Sequence, residues 1–110
     1  MNKTDTELLD AFIAQSDAIG TKVIAKTAFA IEATAKTLAP VDTGALRNSI
    51  VTEEISHKVL RVSDSVEYGI FQELGTSRNP AQPFMVPAVE AESRNVSDWI
   101  AEEIGKVLGE

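Results

Sequence analysis

The chain has 110 residues, 44% hydrophobic and 25% charged, with a formal charge of −7 and no cysteine. That length holds one domain (1–110) around a single modest core, and the composition is neither disordered nor fibrous. No cysteine means no disulfide, thiolate metal site or sulfur nucleophile, and no apolar run approaches the roughly 20 residues of a membrane span.

The acidic excess lies in the second half. Residues 1–50 hold five basic and six acidic groups, whereas residues 51–110 hold five and eleven. Phosphate recognition relies on Lys/Arg neutralisation, so direct nucleic acid binding is disfavoured. Asp5, Glu7 and Asp10 stand where a secretory leader needs a basic start and an apolar run, so a soluble domain made inside the cell is expected.

Thr4 to Leu38 reads as one long helix. Thr4-Asp5-Thr6-Glu7 fits a capping box, in which the Thr4 hydroxyl and the Glu7 carboxylate satisfy each other's backbone N–H. Leu8, Phe12, Ile19, Val23, Ile31, Ala35 and Leu38 recur at helical spacing and predict one apolar stripe. Gly20 allows a bend. Pro40 ends the helix, because the residue before a proline is pushed out of the helical region.

A turn-rich segment follows, in which Asp42 or Thr43 is expected to cap a short helical turn and Gly44 to relieve crowding. Ile50–Ile55 and Lys58–Ser63 are rich in Val, Ile and Thr and predict an antiparallel hairpin turning at Ser56-His57. Val66–Leu74 fits a strand by alternation. It also fits helical turns, with Tyr68, Phe71 and Leu74 on one side and Gly75 as the C-terminal cap. The helical reading is preferred. Residues 75–86 read as loop, with Pro87 in the first turn of a final helix whose apolar face is Val89, Val96, Ile100, Ile104 and Val107. The fold class is therefore α+β: a long N-terminal helix and a C-terminal helix packed on a small antiparallel sheet.

Few residues offer chemistry. Asp42-Thr43-Gly44 matches the aspartic protease triplet, but those enzymes are all-β and this chain spends its first third on a helix. His57, the single histidine, has no companion for a metal, and no metal or cofactor is expected. Glu53-Glu54 and Glu102-Glu103 are adjacent pairs that point apart and read as solvated. Trp99 suits core or interface. Phe84, between Pro83 and Pro87, either covers the domain's own sheet or anchors a second subunit; the second reading is preferred, with the loop carrying assembly more than folding.

Ala39-Pro40-Val41-Asp42-Thr43-Gly44-Ala45-Leu46-Arg47-Asn48-Ser49-Ile50 resembles the P-x-D-T-G-x-L-x-x-S-I signature of a tail-component family in long-tailed bacteriophages. Tyr68, Glu73, Gly75 and Thr76 are similar to its second signature, Y-x-x-x-x-E-x-G-T, and Pro83, Phe84, Pro87 and Ala88 to its third. Asp42, Thr43, Gly44, Leu46, Arg47, Ser49, Tyr68, Phe71, Glu73, Gly75, Thr76, Pro83, Phe84 and Pro87 are thus the candidate interaction and structural residues. The resemblance implies a non-enzymatic virion protein, made in the bacterial cytoplasm, that completes the tail or joins it to the neck. It further implies partners among tail and connector proteins and a ring, with six copies as the expectation. At −7 per subunit such a ring must overcome mutual repulsion, so full assembly is expected only against a tail or neck partner. Two rivals are an acidic DNA mimic and a dimeric aspartic protease using Asp42.

Overall fold

The computed structural model describes residues 4–40, 44–66, 69–78 and 80–109. The expectations placed on Asp42, Thr43 and Tyr68 lie outside the described residues. The elements run α1 (Asp5–Leu38), α2 (Ala45–Ser49), β1 (Val51–Ser56), β2 (Val59–Ser63), α3 (Gly69–Leu74), α4 (Met85–Ser93) and α5 (Val96–Leu108). The α+β class holds: α1 packs against α4, α5 and β2, beside one two-stranded sheet.

The ends of α1 follow local rules. Thr4 Oγ1 accepts from the Glu7 N–H, and Glu7 Oε2 accepts from the Thr4 N–H, both at 3.2 Å. At the other end Ala39 turns extended (ψ 137°), as the following Pro40 requires. The helix passes through Gly20 without interruption.

The hairpin lies one residue later than expected. Ile50 is not a strand residue; it ends α2 and is fully buried. The tip is His57-Lys58, with Lys58 in the left-handed region at φ 64° and a register irregularity between Glu54 and Ser56. That combination belongs to bulged hairpins. Lys58 Nζ, 2.6 Å from Asp17 Oδ1, ties the tip to α1.

One long final helix was expected, and two are found. The chain breaks at Arg94-Asn95, where the Asn95 N–H reaches the Glu92 carbonyl (3.0 Å) and its side-chain amide the Glu92 carboxylate (3.4 Å). Ser93 Oγ also donates to the Glu90 carbonyl (3.1 Å). Such short polar side chains compete with the helical ladder and favour its ends.

The core is small and asymmetric. Ala35, Ala39, Leu46, Ile50, Phe84 and Ala88 form the buried cluster, at the C-terminal end of α1. The predicted α1 stripe is only partly covered: Val23 and Ala35 are buried, whereas Leu8, Phe12 and Leu38 are exposed. A compact chain of this size has a radius of gyration of about 13 Å. The observed 18.8 Å and the 70 × 24 × 21 Å extents describe an elongated molecule built along α1.

Candidate functional site

The motif residues converge on that core. Leu46 from α2, Ile50 behind it, and Phe84 and Ala88 from the start of α4 close over Ala35 and Ala39. Phe84 is 1% exposed, so the expectation that it anchors a second subunit is overturned. It is the largest fully buried side chain and holds this domain's own core. The loop is also shorter than 75–86, because α4 begins at Met85. Pro83 stays exposed and Pro87 lies in the first turn of α4, as expected of a proline there.

Arg47 has a structural task that follows from Pro40. Within a helix the Lys36 carbonyl would accept from the N–H four residues on, but that residue is proline and has none. Arg47 Nε supplies the missing donor at 2.9 Å, with a cation at the negative end of α1. Ser49 Oγ donates to the Leu46 carbonyl at 2.8 Å within α2. The residue preceding α2 is Gly44, at φ 79°. A side chain there would be strained, which accounts for a glycine in the signature.

Glu73 joins the second signature to the third. Its carboxylate accepts from the backbone N–H groups of Phe84 (3.2 Å), Met85 (2.8 Å) and Val86 (3.2 Å). These are orphan donors at the start of α4, and Phe84 at the N-cap has no side-chain oxygen with which to serve them. A carboxylate from α3 does the capping and also complements the helix dipole. Gly75 lets the chain turn back after α3: it sits at φ 79°, and its N–H meets the Phe71 carbonyl at 2.8 Å. The Gln82 N–H to Gln72 carbonyl bond (2.7 Å) closes the returning loop, and Thr76 Oγ1 accepts from the Arg78 N–H (3.3 Å). Phe71, by contrast, points away from the core and is 55% exposed.

Two other regions have the character of contact surfaces. Leu8, Leu9, Phe12 and Ile13 lie exposed on the first turns of α1. Farther along α1, an open groove of about 620 Å³ is lined by Val23, Ile31, Leu60, Val62, Val89 and Ile100 among others. Ion pairs brace its flank. Glu103, expected to be solvated, is 7% exposed and is bridged by Lys22 (3.0 Å) and Lys106 (3.1 Å). The Lys22 bond, then the Lys106 bond, holds its carboxyl below the ordinary range. At the hairpin tip, Lys58 first and His57 second do the same for Asp17. Lys26 stacks 4.9 Å over the half-buried Trp99 ring and pairs with Glu102 at 3.6 Å.

The described residues contain no His/Cys/Asp/Glu group able to hold a metal, and no helix among them is long and apolar enough to cross a membrane. Gly44 of the Asp-Thr-Gly triplet opens a helix, and the two-stranded hairpin offers no β-barrel to frame a protease site. Residues 7–75 match the family described as "Bacteriophage HK97-gp10, putative tail-component". The chain belongs to this family. Membership gives this tail component a structural role in the phage tail, a virion location and other phage proteins as partners. No curated protein and no solved structure matches it. The matched stretch takes in the first signature of the tail component and the second as far as Gly75; Thr76 and the Pro-Phe signature lie beyond it. Glu73 nevertheless binds that third signature into the same unit.

Sequence reasoning missed Glu73 as a helix cap, Arg47 as the substitute donor and Glu103 as a buried bridge. Only Arg47 had a readable signal, a cation a few residues after a helix-ending proline.

Proposed function

We propose that this tail component works at the head–tail junction, completing the tail or joining it to the neck as a ring of identical subunits. The observation that carries this reading is the family match over residues 7–75. The surface supports its oligomeric part. Large apolar side chains stand exposed in clusters on α1, α3 and α5, whereas a monomer seldom leaves contiguous apolar patches beyond a few hundred Å² uncovered. The DNA-mimic alternative gains nothing from the structure. Glu7, Asp17, Glu53, Glu73, Glu92, Glu102 and Glu103 are engaged in caps, hydrogen bonds or ion pairs within the domain, leaving fewer carboxylates to imitate a phosphate array.

Depletion and add-back in vitro tests the reading. Phage lysates lacking this protein should accumulate filled heads and separate tails, and the purified protein should restore joined particles. Normal joining without it would place the protein elsewhere in the tail.

A further inference from the structure

We propose that α5 is a latched helix: it is hinged at Arg94-Asn95, held to α1 chiefly by lysine contacts, and opens as a unit while the core stays folded. The latch is a property of the single chain, whatever its place in the tail.

α5 adds nothing apolar to the core. The buried cluster comes from α1, α2, α4 and the residues that cap them, and the buried residue of α5 is Glu103, a carboxylate. Ile100, Ile104 and Leu108 are 39%, 42% and 80% exposed, while Val96, Trp99 and Val107 are half-buried. Burial of apolar area is the main force that holds one element to another, and α5 has little of it.

Charge takes its place. Lys22 Nζ lies 3.0 Å from Glu103 Oε2, and Lys26 Nζ lies 3.6 Å from Glu102 Oε2 and 4.9 Å over the Trp99 ring. The two lysine side chains are 62% and 46% exposed, and contacts at such sites add little and weaken in salt. The seam itself is loosely packed. Open grooves of about 280 and 400 Å³ flank it, and Ile19 of α1 and Val107 of α5 line both.

α4, on the other side of the break, is anchored. Its Ala88 is fully buried, and Thr34 Oγ1 of α1 donates to Glu92 Oε1 at 2.6 Å. Firm contact thus ends just before Arg94-Asn95, and Asn95 provides no side-chain cap for α5. Residues at the ends of elements absorb hinge motion, and a segment with few buried apolar contacts opens before the rest unfolds. Opening uncovers Ile19 and Val107, so the latch sets how much apolar surface the chain shows to a partner.

Native-state hydrogen exchange on the whole chain gives the test. Amides from Ile100 to Val107 should exchange alike, and about 30-fold or more faster than those of α1 around Ala35. Raising NaCl from ~0.05 to ~0.5 M should quicken the α5 group about threefold. The Ala35 group should hold or slow, because salt also screens the net charge of −7. Lys22→Gln should quicken the α5 group about threefold at low salt, and acrylamide quenching of Trp99, the single tryptophan, should rise in step. Exchange of α5 at the rate of the Ala35 region would overturn the proposal, because α5 would then belong to the cooperative core. Rates that climb steadily from Asn95 towards Leu108 would overturn it in favour of fraying from the end. An α5 group indifferent to both salt and Lys22→Gln would overturn the ionic latch in favour of packing.

Discussion

The two halves of α1 both carry apolar residues and are covered differently. One side of the C-terminal half is covered by Leu46, Ile50, Phe84 and Ala88, and Ala35 reaches complete burial, while Phe29 and Leu38 stay exposed. The N-terminal half carries larger side chains, yet Leu8, Leu9, Phe12 and Ile13 stay more than half exposed. Signature residues gather around the covered half, and none lies on the uncovered one. The difference teaches that the described signature residues serve the folding of the domain, while the exposed apolar residues of the other half follow plain helical periodicity.

The largest effect that could break this division comes from Phe84→Ala. A fully buried aromatic lost from so small a core should cost about 3–5 kcal/mol in a urea melt. A loss near that expected of an exposed residue would return Phe84 to the interface and undo the contrast between the two halves.

Glu73→Ala comes next. It removes the shared acceptor for three N–H groups of α4 and the negative charge at that helix start, for an expected cost of about 2 kcal/mol. Hydrogen exchange should locate the damage, with the Phe84, Met85 and Val86 amides exchanging faster than those in the middle of α1. Uniform acceleration across the chain would mean that Glu73 acts through global packing and not as a cap.

Gly75→Val should cost about 1–2 kcal/mol, since a branched side chain is strained at positive φ. Gly109→Val is the control: Gly109 has φ −79° at the end of α5, and its replacement should change stability by less than about 0.5 kcal/mol. Equal melting temperatures for the two variants would remove the backbone explanation for glycine in the second signature.

Local features of the fold were legible and nonlocal ones were not. The Thr4–Glu7 box, the stop at Pro40 and the left-handed Gly75 each depend on neighbours within a few residues, so residue type and spacing were enough. Phe84 was undecidable from sequence, because an aromatic between prolines reads alike whether it covers its own core or a neighbour's. Only the approach of Ala35 and Leu46 settles it. The break at Arg94-Asn95 escaped because the apolar spacing continues across it, while the competing polar bonds from Ser93 and Asn95 have no periodic signature. Periodicity likewise placed Phe12 and Ala35 on one stripe, but it could not say how far along α1 the rest of the chain would reach.

The smallest effect concerns the flank between the two halves, where Glu103 holds Lys22 of α1 to α5. The Lys22 hydrogen bond, followed by that of Lys106, lowers the Glu103 carboxyl from its ordinary value. A carboxyl whose folded pKa is depressed binds its proton more weakly in the native state than in the unfolded one. Its contribution to stability is therefore present above the unfolded value and is lost as pH falls through the folded one. Glu103→Gln removes that contribution while keeping the shape of the side chain. The gap in urea midpoint between wild type and Glu103→Gln should thus be widest near neutral pH, should begin to close below the ordinary Glu value of about 4.3, and should vanish once pH has fallen through the lower folded value. Asp17→Asn should show the same closing gap with a smaller amplitude, because Asp17 sits in a more exposed pair at the hairpin tip. A gap for Glu103→Gln that stays constant from neutral to acid pH would mean that the flank is held by packing alone. The border between covered and uncovered halves of α1 would then owe nothing to charge.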